Sequence, residues 1–250
     1  MYSKIKEIKA YAREQLLSNM WTAVFFTLFY IALTNLCACC LMVYSGSGNI
    51  LELIIYEITT LMIDLFAGLL QMGVACFYLN IATGKGRPSL SNLFYAFEHS
   101  PDKALKVSLM LALIRMICTL PYVVYFLFFT QGFTMEQLMD RNPEALQCMG
   151  IAYLLLGAGE LIYFLICLFF EPIYYMLVDM PSLTATKAIR MSIWLMKGSK
   201  ARFLGLYLSF LPLQLISLFT LGIGNLWIIP YMNTSFAHFY TDLSAKRLKQ

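Results

Sequence analysis

Six apolar runs divide the chain, at residues 20–44, roughly 63–82, 107–130, 150–178, 203–221 and 226–240. Bilayer hydrocarbon is ~30 Å thick and takes roughly 20 apolar residues per helical crossing, so each run is read as a transmembrane helix. The stretch before the second run, residues 50–62, is helical in pattern but carries Glu52 and Glu57. Residues 50–82 are too few for two crossings. The pattern therefore predicts one long helix whose acidic start projects from the membrane or lies along its surface.

The polar positions between the runs set an orientation, because cytoplasmic loops of membrane proteins hold excess Lys and Arg. With the N-terminus inside, the inner segments collect four basic groups. These are Lys4, Lys6, Lys9 and Arg13; Lys85, Arg87, Lys103 and Lys106; Lys187, Arg190, Lys197, Lys200 and Arg202; and Lys246, Arg247 and Lys249, together 16 of the 18 basic residues. Arg141 falls in an outer loop among Glu136, Asp140 and Glu144, and Arg115 falls inside a run. An odd number of crossings would scramble this segregation. The tryptophans agree with it: Trp21 stands at the inner start of the first span, Trp227 at the outer start of the sixth, and Trp194 in a cytoplasmic segment. An apolar ring with an N–H that needs a partner favours the interface.

Each pair of spans follows a short segment with one apolar face. In the first, Ile5, Ile8, Ala12 and Leu16 oppose Lys6, Lys9 and Arg13. In the second, Leu90, Leu93, Phe94 and Phe97 follow helical spacing, with Ser89 placed as N-cap behind Pro88. In the third, Ala185, Ala188, Ile189, Ser192, Ile193 and Met196 share a face. Pro88-Ser89-Leu90-Ser91 matches Pro181-Ser182-Leu183-Thr184, and Leu16-Leu17-Ser18-Asn19 matches Leu195-Met196-Lys197-Gly198. The expected fold is an all-α membrane protein: six transmembrane helices as three hairpins, each preceded by a cytoplasmic amphipathic helix. It forms one integral membrane domain over residues 1–250, with pseudo-repeat units 3–82, 88–180 and 181–243. The amphipathic helices are expected to lie in the headgroup layer, the alternative being docking faces for a cytoplasmic partner.

Composition sharpens this reading. Hydrophobic residues make up 60% of the chain and charged residues 13%, about half the usual charged share of a soluble domain. The net charge of +4 sits in tracts beside apolar runs, where anionic headgroups favour it, so nucleic acid is not an expected partner. Of the seven cysteines, Cys37, Cys39, Cys40, Cys76, Cys118 and Cys167 lie in apolar runs and Cys148 near an outer loop. Without C-x-x-C or a Cys/His cluster they read as packing residues, and no metal or cofactor is expected. The first run is far longer than the ~7–15 residues of a signal-peptide core, so it reads as a retained span. No P-loop, G-x-S-x-G, H-E-x-x-H or paired-aspartate phosphotransfer motif occurs, and the expectation is that the protein is not an enzyme.

Ionisable groups within spans are the default functional candidates, since a charge at mid-membrane costs ~2.5–3.5 kcal/mol on insertion scales. Asp64 and Glu160 lie near the expected outer ends and can reach water. Arg115, nine residues past Lys106, and Glu171, eight before Asp179, both come out ~12–14 Å deep at 1.5 Å per residue. Matching depth and opposite charge make them expected partners, either as a buried ion pair fixing helix register or as a substrate or proton site. In the sixth span Tyr231, Ser235, His238 and Asp242 form one polar stripe at i, i+4, i+7 and i+11, expected to face the bundle interior as structural glue or as a ligand site. Pro121, Pro172, Pro212 and Pro230 interrupt spans three to six, where each can kink its helix. No two glycines stand four apart, so the GxxxG pairing motif is absent.

From Glu171 onward the chain resembles bacterial integral membrane proteins grouped as domain-of-unknown-function family 975, common in Gram-positive bacteria. The resembling residues are Leu177-Val178-Asp179-Met180-Pro181, Met196-Lys197-Gly198-Ser199-Lys200, Leu221-Gly222-Ile223-Gly224-Asn225-Leu226-Trp227 with Pro230-Tyr231, and Ala237-His238-Phe239-Tyr240. Ala12-Arg13-Glu14 with Trp21, and Tyr78-Leu79-Asn80-Ile81-Ala82 before Pro88-Ser89-Leu90, fit as well. Met180 stands where the family usually has Asn, and His238 where Asn is common. The resemblance implies a Gram-positive plasma membrane location and six spans, and carries no activity, catalytic residue or cofactor. The expected function is a non-enzymatic accessory, regulatory or lipid-interacting membrane protein, with a small transporter or lipid-handling protein as the alternative. Its expected partners are the bilayer, and another membrane protein or a cytoplasmic partner at the amphipathic helices.

The expected topology makes a direct prediction. Membrane-impermeant thiol reagents applied from outside will label cysteines introduced near Arg141 and Gly48, but not near Lys85 or Lys197. Outside labelling at Lys197 would overturn the six-span reading.

Overall fold

A computed structural model describes residues 4–39, 50–129 and 143–247. The expected end of the first span at Tyr44, the Gly48 loop, Arg141 with its acidic neighbours Glu136 and Asp140, and Lys249 lie outside the described residues. The order is α1 (Ile5–Leu17), α2 (Met20–Cys39), α3 (Ile50–Thr83), a 3-10 turn (Leu90–Phe94), α4 (Tyr95–His99), α5 (Pro101–Phe129), α6 (Pro143–Cys167), α7 (Ile173–Asp179), α8 (Ala185–Met196), α9 (Lys200–Leu208), α10 (Leu211–Phe219) and α11 (Asn225–Arg247). The described residues contain no strand.

Five stretches are long and apolar enough to cross a membrane: Met20–Cys37, Ile54–Thr83, Pro101–Phe129, Pro143–Cys167 and Lys200–Phe219, with mean hydropathy between 1.5 and 2.0. Helix α11, expected as the sixth span, is not among them. Asn233, Thr234, Ser235, His238, Thr241 and Asp242 dilute its apolar character. The prolines act unequally. Pro121 and Pro230 sit inside uninterrupted helices, whereas Pro172 follows a hydrogen-bonded turn that separates α6 from α7. Pro212 opens α10 just after the turn at Ser209 and Phe210. A proline without an N–H is tolerated in a first helical turn, where that donor has no intrahelical partner.

The chain divides into two compact units. The first comprises Met1–Thr34, Ala67–Val107 and Leu168–Gln250, and the second Asn35–Phe66 and Ser108–Cys167. In the first unit, α1 packs along α11 and touches α9. Its apolar positions Ile8, Ala12 and Leu16 are at most 2% exposed, so the face expected to rest on lipid headgroups is covered by protein. Burying the two large side chains contributes about 1.5–3 kcal/mol each. Glu7 closes the N-terminus of α1 by accepting the Lys4 N–H at 2.8 Å.

Elsewhere in the first unit Phe26 stacks on Phe77 with ring centroids 3.8 Å apart, and Thr27 and Tyr78 share a hydrogen bond of 2.8 Å. The second expected amphipathic helix is the 3-10 turn followed by α4. Ser89 is its N-cap but bonds the Asn92 side chain, not a backbone N–H. Leu93 and Ala96 are buried, while Leu90, Phe94 and Phe97 stay exposed. The turn lies on α3 at Gly73, where a Cβ would meet the Leu93 carbonyl oxygen at 2.1 Å. In α8, Ala185, Ala188, Ser192, Leu195 and Met196 are buried, and Ile193 and Trp194 are exposed.

The second unit is built from the first part of α3, α5 from Ser108 onward, and α6. Here α5 and α6 cross closely: a Cβ on Gly159 would lie 2.6 Å from the Cys118 carbonyl oxygen, whereas one on Gly157 would meet nothing within 4 Å. Two glycines one residue apart therefore respond oppositely to the same change. Gly159→Ala should destabilise by about 1–3 kcal/mol through overpacking, and Gly157→Ala should stabilise by up to ~1 kcal/mol through helix propensity. Thermal unfolding of the two purified variants in detergent checks this, and the same sign for both would refute the crossing.

Candidate functional site: a charged cavity in the second unit

Helical spacing puts Glu57, Thr60, Leu61 and Asp64 on one face of α3, at i, i+3, i+4 and i+7. On α5, Ala112, Arg115, Met116, Thr119 and Tyr122 repeat the pattern. On α6, Leu156 and Glu160 stand one turn apart. The three faces line a half-open cavity of about 60 Å³ that Tyr56 also lines, room for about two waters.

Arg115 holds the centre. Its Nη1 donates to both carboxylate oxygens of Asp64, at 3.0 and 3.1 Å, and its Nε donates to Glu160 Oε1 at 3.0 Å. The charged side chains are only part-buried, with exposures of 34% for Arg115, 27% for Asp64 and 39% for Glu160. Glu57 lines the same cavity and makes no ion pair among the described residues. Thr119 is occupied, its hydroxyl donating to the Arg115 carbonyl at 3.0 Å. The Thr60 hydroxyl oxygen is buried without a hydrogen-bond partner, a condition that typically costs about 1–3 kcal/mol.

This corrects the pairing expected from sequence. Arg115 does not pair with Glu171; its partners are Asp64 and Glu160, the two carboxylates expected to sit in water. Matched depth and opposite charge do not by themselves identify a partner; which helix faces meet decides it. Helix α5 begins at Pro101, so Arg115 lies 14 residues along it, about 21 Å at 1.5 Å per residue. Glu171 lies in the turn before α7, in the first unit, and makes no ion pair among the described residues. In the sequence Glu57 reads only as part of an acidic helix start. Its spacing from Thr60 and Asp64 is the signal that would have brought it into the site.

The polar stripe of α11 belongs to the first unit and faces protein. The Tyr231 hydroxyl donates to the Lys9 carbonyl at 3.2 Å, and the fully buried Ser235 donates to the Tyr231 carbonyl at 2.8 Å. With the Gln15 amide oriented to donate, its nitrogen lies 2.8 Å from His238 Nε2. Asp242 is clasped by Arg202 and Lys246. A cavity of about 230 Å³ lies beside Tyr11, His238 and Asp242, but these contacts already occupy the stripe, which acts as a seam between α11 and its neighbours α1 and α9. Among the described residues no group of His, Cys, Asp or Glu is arranged to hold a metal ion, and none of the six described cysteines forms a disulfide.

Removing Arg115 leaves two carboxylates facing each other, so Arg115→Leu should destabilise on the order of 3 kcal/mol. Adding Asp64→Leu should recover much of that loss, and adding Glu171→Leu should recover none. Thermal unfolding of the three variants distinguishes the partners; rescue by Glu171→Leu would restore the pairing read from sequence.

Residues 1–247 match the family described as Protein of unknown function (DUF975). No curated protein and no solved structure matches the chain. The family match runs through α1, both units and α11, and on that extent the chain belongs to the DUF975 family of proteins of unknown function.

Proposed function

We propose that this is a non-enzymatic bacterial plasma-membrane protein that engages a membrane lipid at the charged cavity of its second unit. In this reading both termini are cytoplasmic and α11 is the sixth crossing. The segregation of basic residues supports that topology, as does the length of α11, 23 residues or about 35 Å. One observation carries the functional reading. Arg115, Asp64 and Glu160 sit on helices apolar enough to cross a bilayer, yet each remains roughly one-third exposed. Hydrocarbon does not solvate charges, so such a surface calls for a polar cover, and a lipid headgroup is the one every bilayer supplies.

A small transporter is the second reading. It is favoured by the helix interruptions ahead of Pro172 and Pro212, since broken helices build transporter sites. Both interruptions fall in the first unit and the charged cavity in the second, which makes the lipid reading the stronger.

The test uses protein released from nanodiscs containing phosphatidylethanolamine, phosphatidylglycerol and cardiolipin, with retained lipid measured by native mass spectrometry. Wild type should retain at least one lipid class, and Thr60→Leu, which fills the cavity, should lose it. Equal retention by both proteins would defeat the proposal.

A further inference from the structure

We infer that the cavity bounded by α3, α5 and α6 recognises a primary ammonium group, as carried by an amine-bearing lipid headgroup or a free alkylamine. The inference rests on this cavity being the ligand site, and it adds the chemistry of the ligand.

Charge comes first. Arg115 brings one positive charge to a cavity that also holds Asp64, Glu160 and Glu57, so the guanidinium answers only one of three carboxylates when all are ionised. An anionic ligand would have to displace Asp64 or Glu160 from Arg115 and add to the negative excess. A cation reduces that excess without breaking either contact.

Donor geometry narrows the class. An ammonium carries three N–H donors and no acceptor, and acceptors are what the site has left over. Glu57 has no ion-pair partner among the described residues, and Glu160 offers Arg115 only one of its two oxygens. Thr60 also lines the cavity, and its hydroxyl oxygen is buried without a hydrogen-bond partner, an independent sign of a missing polar group. A bare metal ion would need ligands gathered around one point, and the described acidic residues are not so grouped. Asp64 and Glu160 are turned to the guanidinium instead. Tyr56 and Tyr122 also line the space, and aromatic rings favour a cation close to their faces.

The experiment measures binding to purified protein by two probes. In solution, n-butylammonium chloride is titrated calorimetrically against protein in detergent, with sodium butyrate as the anionic counterpart. In nanodiscs, retention of phosphatidylethanolamine is compared with that of phosphatidylglycerol. Saturable binding of butylammonium, preferential retention of phosphatidylethanolamine, or both, is the expected result, and which of them occurs identifies the source of the amine. Glu57→Gln should weaken that binding about tenfold or more, the effect of losing a charge-assisted hydrogen bond. Its unfolding temperature should stay that of wild type, because Glu57 anchors no ion pair. The exposed Glu98→Gln should bind normally. Retention of phosphatidylglycerol or binding of butyrate at the Thr60-dependent site would leave the lipid or ligand role standing and overturn the ammonium assignment. Binding of neither cation, or equal cation binding by Glu57→Gln, would overturn it too, leaving protons to neutralise the excess charge.

Discussion

Hydrocarbon offers no water to a peptide group or a charge, and every polar atom on these apolar helices has to find its partner within the chain or in what the chain binds. The first unit meets that constraint mainly with neutral contacts to backbone. Tyr231 donates to the Lys9 carbonyl and Ser192 to the Phe169 carbonyl, and Thr27 pairs with Tyr78 between α2 and α3. Where charges enter that unit the solutions are mixed: Asp242 is clasped by Arg202 and Lys246, with no carboxylate left over at that cluster. The Lys9 ammonium donates to Ser209 and lies over the Phe210 ring at 4.1 Å. The second unit meets the constraint with charge against charge, and leaves an excess of acid.

Five of the six apolar runs are legible as candidate spans, because the length of such a run is dictated by bilayer thickness and survives any arrangement of the helices. Breaks at Pro172 and Pro212 were legible as proline positions, but sequence alone gave no reason why these two interrupt a helix while Pro121 and Pro230 do not. In α1, protein covers the residues expected to rest on lipid headgroups. Periodicity reports that Ile8, Ala12 and Leu16 share a side; it is silent on whether protein or lipid covers that side. Helix α11, expected as a sixth span, lacks a stretch of the length and hydropathy that mark the other five. Its polar residues turn onto α1 and α9, and a hydropathy average counts them as though they faced outward.

The Arg115 site shows a different limit. Arg115, Asp64 and Glu160 each stand out in the sequence as an intramembrane or near-membrane charge, yet their pairing does not follow from it. The spacing of residues reports how far a charge lies along its own helix and is silent on which neighbouring helix faces it. Glu57 was passed over for a related reason: an acidic residue near a helix start looks solvated until the neighbouring helices are placed beside it.

Fold and site are joined most directly at the crossing of α5 and α6. Gly159 immediately precedes Glu160, and Cys118 and Thr119 lie one turn beyond Arg115, so the close approach and the ion pair occupy the same stretch of both helices. Without a Cβ at Gly159 the α6 backbone rests against the Cys118 carbonyl, and at that spacing Arg115 Nε and Glu160 Oε1 stand 3.0 Å apart. Spreading the helices by about 1 Å would carry this contact past the ~3.5 Å at which such a bond is lost. The guanidinium then extends the constraint to α3. Its planar fork presents donors in fixed relative directions, with Nε committed to Glu160 and Nη1 to both oxygens of Asp64. A lysine ammonium at the same position could satisfy the two carboxylates over a wide range of angles; the guanidinium plane admits few. The apolar crossing sets the distance between α5 and α6, the arginine sets the direction in which α3 joins them, and the cavity is the space that these two settings leave between the three helices.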